Sequence, residues 1–255
     1  MNKFIGIIPA RYSSTRFPGK PLAKIDGKSI IEMVYKNVAD ILDEVIVATD
    51  DERIFNEVKS FNGNVVMTSA NHQSGTDRCY EAFLNSNSDA TVIINIQGDE
   101  PFIDPKQIEL LKSCFNDNKT DIATLVKPFN ESDNYETLSN PNSPKVVIDN
   151  NNNALYFSRS VIPYLRNFPK EEWCKKHTFY KHIGIYAYKS DVLKRITVLP
   201  QSELELAESL EQLRWISNSF NIKVGITDIE TIGIDTPEDL QKAIEFYNLK
   251  TKINE

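Results

Sequence analysis

Apolar and polar positions along the chain fall into two regimes. Up to about residue 126, short unbroken apolar runs alternate with amphipathic stretches. Phe4 to Ile8, Val45 to Ala48, Val65-Val66 and Thr91 to Ile96 are such runs and predict buried strands. Between them, Ile30 to Ile41, Asp51 to Phe61 and Gly75 to Leu84 predict helices. Asp104-Pro105 supplies an N-cap and a first-turn proline for a further helix reaching about Cys114. Strands that read as continuous apolar runs between helices predict a mainly parallel central sheet with helices on both faces.

Beyond Val126 the pattern changes. Val146 to Ile148 and Ala154 to Phe157 flank the turn-like run Asp149 to Asn153, which predicts a β-hairpin. Ile183 to Tyr188 and Val224 to Ile226 predict strands. Leu204, Leu206, Leu210, Leu213 and Ile216 recur at roughly helical spacing. Thr236-Pro-Glu-Asp239 resembles a capping box opening a last helix. The expected fold is therefore α/β and Rossmann-like, with a smaller antiparallel segment in its second half.

The composition narrows the function. At 255 residues, with 40% hydrophobic and 25% charged positions, the chain is an ordinary globular length with core to bury. Acidic residues outnumber basic ones, 36 to 29, so nucleic acid is not an expected partner. Three scattered cysteines, Cys79, Cys114 and Cys174, suggest neither a disulfide framework nor a zinc site. The apolar run at the N-terminus is too short for a signal peptide or membrane span, so no membrane association and a cytoplasmic location are expected. The dinucleotide G-x-G-x-x-G, the Walker lysine loop, G-x-S-x-G, H-E-x-x-H and Asp-x-Asp are all missing.

An α/β chain without these still has one evident way to hold phosphate. Directly after the first strand comes Ile8-Pro-Ala-Arg-Tyr-Ser-Ser-Thr-Arg-Phe-Pro-Gly-Lys-Pro-Leu22. Ligands of α/β sheets bind at the carboxyl ends of strands. Here Arg11, Arg16 and Lys20 are placed to grip a triphosphate, Ser13, Ser14 and Thr15 add donors, and Gly19 allows close backbone approach.

Several segments together resemble the 3-deoxy-manno-octulosonate cytidylyltransferases, also called CMP-KDO synthetases. They are this loop, His72-Gln-Ser-Gly-Thr-Asp-Arg78, Asn95-Ile-Gln-Gly-Asp-Glu-Pro101 and Ala154-Leu-Tyr-Phe-Ser-Arg159. His182-Ile-Gly-Ile-Tyr186, Glu208-Ser-Leu-Glu-Gln-Leu-Arg214 and Gly233-Ile-Asp-Thr-Pro-Glu-Asp-Leu240 complete the set. The resemblance spans Ile7 to Leu240, departing at Asn71 and Tyr164, where the family often has an acid and a Trp.

The resemblance implies transfer of CMP from CTP to 3-deoxy-D-manno-octulosonate (KDO), feeding lipopolysaccharide synthesis. It also implies a homodimer formed through the segment after Val146. A single domain would comprise a nucleotide-binding half, residues 1–126, and a sugar-binding and dimerisation half, residues 127–255. Asp99 and Asp235, each expected near a strand end, would bind Mg2+. Ala10, Arg11, Ser13 and Lys20 would hold the triphosphate, with Arg11 and Lys20 also stabilising the transition state. Ser74, Gly75, Arg78 and Gln97 would form the base pocket, and Arg159, His182, Tyr186, Glu211 and Gln212 the sugar-acid site. His72, His177, Trp173, Trp215 and the cysteines read as structural. A sialic acid cytidylyltransferase and a non-catalytic nucleotide-binding homologue are the alternatives.

Overall fold

The computed structural model describes residues 2–72, 74–230 and 233–253. Gln73 of the His72–Arg78 motif, and Ile232 ahead of Asp235, lie outside the described residues. By internal contacts the chain divides into two compact units, Met1–Glu109 with Thr231–Glu255, and Leu110–Glu230.

In the first unit the chain runs through β1 (Phe4–Ala10), a small hairpin of β2 (Lys24–Ile25) and β3 (Lys28–Ser29), and α1 (Ile30–Ala39). It continues through β4 (Glu44–Thr49), α2 (Glu52–Ser60), β5 (Val65–Met67), α3 (Gly75–Ser86), β6 (Val92–Asn95) and α4 (Pro105–Cys114). The strands lie in the order β6-β1-β4-β5. Every pairing among these four is parallel, as their apolar runs predict. Ile5, Ile7 and Ile8 of β1 are fully buried, and α1, α2 and α3 pack against the strands. Helix entries are fixed by side-chain caps. Ser29, Asp51 and Ser74 accept the amides of Glu32, Arg53 and Asp77 at the starts of α1, α2 and α3.

The second unit contains β7 (Ile122–Pro128), α5 (Tyr135–Ser139), β8 (Lys145–Ile148), β9 (Ala154–Ser158) and α6 (Trp173–Lys176). It goes on through β10 (Tyr180–Lys189), α7 (Ser190–Ile196), α8 (Glu203–Glu208), α9 (Gln212–Ser217) and β11 (Ile222–Ile226). Here β7 pairs antiparallel with β10 and parallel with β11, while β8 pairs antiparallel with both β9 and β10. The expected β8–β9 hairpin is present. Asp149 Oδ1 accepts the amides of Asn151 and Asn153 across its turn, and Asn152 takes φ 58°. Trp173 and Trp215 are buried, as core residues.

One expectation fails in this unit. The leucines from 204 to 213 do not ride one helix. The chain breaks between α8 and α9 at Ser209, which sits at φ 50° in the left-handed region. Leu204 and Leu206 are left exposed, whereas Leu210 and Leu213 are buried.

The chain then returns to the first unit as α10 (Pro237–Ile253). Thr236 Oγ1 accepts the amide of Asp239, and Asp239 Oδ2 accepts the amide of Thr236, closing a reciprocal cap. The Phe102 ring meets Phe246 edge-on at 5.1 Å and stacks near Tyr247 at 6.5 Å. The Tyr247 hydroxyl donates to Asp26 at 3.2 Å.

A non-glycine residue in the left-handed region costs about 1–2 kcal/mol. Ser209→Gly is therefore expected to raise unfolding free energy by about 1 kcal/mol once the greater flexibility of glycine in the unfolded chain is set against the relief. A denaturant titration in which the midpoint stays put or falls would show that Ser209 is not strained.

Candidate active site

The first unit's site grows from the end of β1. After Ala10 the chain leaves the sheet and doubles back. The Gly19 amide donates to the Tyr12 carbonyl at 2.9 Å, and Gly19 takes φ 73° at the head of a short turn, Lys20–Leu22. A Cβ here would also come within 3.0 Å of the Tyr12 ring, so the position calls for glycine on two counts. The turn after β6 approaches as closely: a Cβ on Gly98 would lie 2.7 Å from the Pro9 carbonyl oxygen. The two turns enclose a cavity of about 280 Å³.

Most of the residues singled out in the first unit line this cavity. Ala10, Arg11 and Lys20 do so from the loop, and Ser74, Gly75 and Arg78 from the start of α3. Gln97, Asp99 and Asp235 complete the set. Ser14, not Ser13, is the loop hydroxyl that lines it, together with Arg16.

The centre of the site is an ion pair shared three ways. Lys20 Nζ lies 2.7 Å from Asp99 Oδ2 and 3.2 Å from Asp235 Oδ1, with its side chain only 13% exposed. Arg16 meets the other oxygen of Asp235 at 3.1 Å. A single backbone bond draws the two acids together, the Ile234 amide donating to the Asp99 carbonyl at 3.0 Å. Asp235 lies in the connection leading into α10, not at a strand end as expected. An aspartate beside Thr-Pro can always be read as a helix cap, but here Thr236 and Asp239 cap the helix between them. The Asp235 carboxylate is left facing the cavity. Asp239 is held below the usual carboxylate range, first by the Thr236 side chain, with the Asp235 and Thr236 amides adding to this.

Arg78 is 4% exposed rather than a surface helix residue. Its guanidinium donates to Thr68 Oγ1 at 2.6 Å and to Asp50 Oδ2 at 2.8 Å. Asp50 is the partner the sequence did not flag. It stands in an Asp-Asp-Glu run that reads as a helix start, and only Asp51 performs the capping. His72 also lines the cavity, its Nε2 against Glu81 Oε2. Burial raises the Glu81 pKa, but the Ser69 amide and His72 outweigh it and leave the carboxyl below its usual range.

In the second unit, β10 carries a register shift between Ile183 and Tyr186 against β7. Bulges of this kind re-aim side chains. Thr124 of β7 fills the irregularity, its Oγ1 donating to the Ile185 carbonyl at 2.8 Å and lying 3.1 Å from His182 Nε2. The His182 and Tyr186 rings are 5.3 Å apart. Burial drives the His182 pKa down to about 4. Tyr186 is raised well above its usual value, chiefly by burial and then by the Glu211 carboxylate. Glu211 Oε1 accepts from Arg214 at 2.7 Å. Gln212, 4% exposed at the start of α9, has its Nε2 buried without a hydrogen-bond partner among the described residues. Arg159 is engaged elsewhere. Its guanidinium donates to the carbonyls of Pro141, Glu208 and Ser209, while its amide donates to Glu208.

A cation-bearing loop at the carboxyl end of a parallel sheet, with two carboxylates converging on one ammonium beside it, is what a nucleotidyltransferase of the α/β class would present. Comparison with known proteins refines this. The profile of one family, the cytidylyltransferases, matches residues 5–249, and the chain belongs to that family. It is 66% identical over 247 residues to a 3-deoxy-manno-octulosonate cytidylyltransferase of Parabacteroides distasonis, covering 96% of this chain and 98% of the relative. A protein of the same name from Bacteroides thetaiotaomicron is 64% identical over 244 residues, with 96% and 98% covered. Among solved structures, a CMP:2-keto-3-deoxy-manno-octonic acid synthetase complexed with CTP superposes with a TM-score of 0.89 at 41% identity. That match covers 97% of this chain and 99% of the other.

The His182 shift has a consequence for stability. Its folded pKa of about 4 lies below the ordinary value of 6.5, so the unfolded chain takes up a proton first as pH falls. Stability that is full above pH 6.5 is lost as pH drops towards about 4. In melting curves across that window, His182→Gln is expected to lose less stability than the unaltered protein. Parallel curves for the two would show that His182 titrates normally.

Proposed function

We propose that this chain transfers CMP from CTP to KDO, giving CMP-KDO and pyrophosphate. The observation that carries this is the 66% identity, across 96% of the chain, with a relative named for that activity. A sialic acid cytidylyltransferase and a catalytically silent homologue are not favoured, since the curated relatives cited bear the KDO name and the charged loop and both aspartates are present.

In this reading Arg11 and Lys20 grip the triphosphate and offset the charge that grows on it during transfer. Arg78, braced by Asp50 and Thr68, and Gln97 address the cytosine edge. The amides at Ser74 and Gly75, opening α3, offer further donors. His182, Tyr186, Glu211 and Gln212 are assigned to the sugar acid, and the buried Gln212 amide nitrogen, without a partner among the described residues, is open to a ligand. Arg159 is assigned to the sugar acid as well, and its bonds to the Glu208 and Ser209 carbonyls brace the chain between α8 and α9.

Among the described residues no cluster of three or more His, Cys, Asp or Glu side chains is placed to hold a metal. Magnesium needs no such cluster, because it retains waters and takes substrate oxygens beside one or two carboxylates. Asp99 and Asp235, already close enough to share one cation, fit that demand and would hold it. When bound, Mg2+ would acidify the attacking hydroxyl and offset charge on the phosphates.

The proposed assembly is a homodimer formed through the second unit, where Leu155 on β9 and Leu206 on α8 are exposed apolar side chains. No helix among the described residues is long and apolar enough to cross a membrane. The proposed location is the cytoplasm, with the product supplying lipopolysaccharide synthesis.

Pyrophosphate release with CTP and KDO is the direct test. Turnover with this pair, strong rejection of UTP and none with sialic acid are expected. A site that pairs with the cytosine amino group leaves polar groups unmatched against uracil. Equal rates with UTP would remove the cytidylyl assignment.

Asp235→Asn separates the metal reading from a structural one. Its side chain is 50% exposed and its helix is capped by others, so stability should change by less than about 1 kcal/mol. Turnover should fall by roughly 10²-fold or more, the scale of losing a charged group that stabilises the transition state. CTP affinity should change far less. Near-native turnover would exclude Asp235 from metal binding.

A further inference from the structure

The residues expected to hold the triphosphate, Arg11 and Lys20, sit on a loop, and loops hold geometry poorly unless something braces them. In this loop the brace is the ring of Tyr12. It packs against the Gly19 backbone, near enough that a single added carbon would meet the ring at 3.0 Å. The Arg53 guanidinium lies over the same ring, 3.2 Å from its centroid. Arg53 is itself pinned, its Nε and Nη2 donating to the two oxygens of Asp51 at 2.9 and 2.7 Å. Asp51 in turn is fixed because it caps α2, accepting the Arg53 amide at 2.9 Å.

The stack is therefore anchored to a helix of the scaffold. Tyr12 follows Arg11 in sequence, Gly19 precedes Lys20, and the Gly19 amide bonds the Tyr12 carbonyl at 2.9 Å. Fixing Tyr12 against Gly19 fixes the backbone from which both cations project.

We propose that Arg53 is a positioning residue for the nucleotide. It stacks on Tyr12 and holds the phosphate loop in the shape that aims Arg11 and Lys20. Its guanidinium is planar, which suits it both to cover a ring and to fork onto a carboxylate, and lysine could not do both. This inference rests on the nucleotide reading of the cavity.

The test is CTP binding by calorimetry without the sugar acid, together with steady-state kinetics, on the full chain. An exposed cation–π pair is worth about a twofold to fivefold change in an equilibrium constant, so Arg53→Ala should weaken CTP binding by about that factor. KM for CTP should rise in step while kcat changes less. Arg53→Lys should not restore the loss. Tyr12→Leu should weaken binding similarly, and Tyr12→Phe, which keeps the ring, should recover most of what Tyr12→Leu loses.

The double variant Arg53→Ala, Tyr12→Leu decides between positioning and direct contact. If Arg53 acts through Tyr12, the double variant binds CTP about as well as either single one. Losses that multiply would overturn the proposal, since Arg53 would then touch the phosphates itself. Unchanged CTP affinity in Arg53→Ala would also overturn it, leaving the nucleotide reading intact. Failure of the unaltered protein to bind CTP would remove both. The Arg53 side chain is 58% exposed, so the melting temperature of Arg53→Ala should stay near that of the unaltered protein.

Discussion

Two carboxylates from distant parts of the chain meet at one ammonium, and the first unit is organised around that meeting. Asp99 and Asp235 repel each other wherever they are brought close, and bringing them close without a cation would weaken the fold. Lys20 resolves the conflict from inside the protein, 2.7 and 3.2 Å from the two acids. Each neighbour has a part in keeping the three together. Gly98 lets the β6 turn press against the end of β1. The bond from Ile234 to Asp99 ties the two acidic segments. The Thr236–Asp239 cap relieves Asp235 of the competing duty of capping the helix.

The second unit, proposed above to take the sugar acid, uses neutrality instead of charge at His182 and Tyr186. Burial keeps His182 unprotonated and Tyr186 protonated through the physiological range. Both rings can then exchange hydrogen bonds without carrying a buried charge. The Glu211 carboxylate is balanced by Arg214, which also lies 3.3 Å from Glu205. The Gln212 amide nitrogen is left without a hydrogen-bond partner among the described residues, although even Lys145, wholly buried, finds the Asn140 carbonyl at 3.0 Å.

The parts of this arrangement that could be read from sequence are those written locally. The parallel strands of the first unit are continuous apolar runs, and the phosphate loop is one linear segment directly after β1. What could not be read depends on partners far along the chain. Arg78 has the spacing of a surface helix residue, and only Asp50 at the end of β4 explains its burial. β7 escaped notice because Thr124 interrupts its apolar run, yet that hydroxyl is paired with carbonyls in the bulge of β10. The break at Ser209 carries no glycine or asparagine to announce it. Whether Asp235 caps or faces the cavity turned on which of three polar side chains took the helix, a matter of geometry alone.

The first unit is discontinuous in sequence, and this bears on how it comes into being. A ribosome makes β1 to β6 and the phosphate loop early, then the whole of the second unit, and only then the segment bearing Asp235 and α10. Until that segment emerges, Lys20 has Asp99 alone, and Phe102 lacks the aromatic side chains of α10 that cover it. The nascent chain thus holds a sheet with an unfinished site, and the segment leading into α10 brings the second acid. Assembly of the carboxylate pair thus waits until the whole of the second unit has been made.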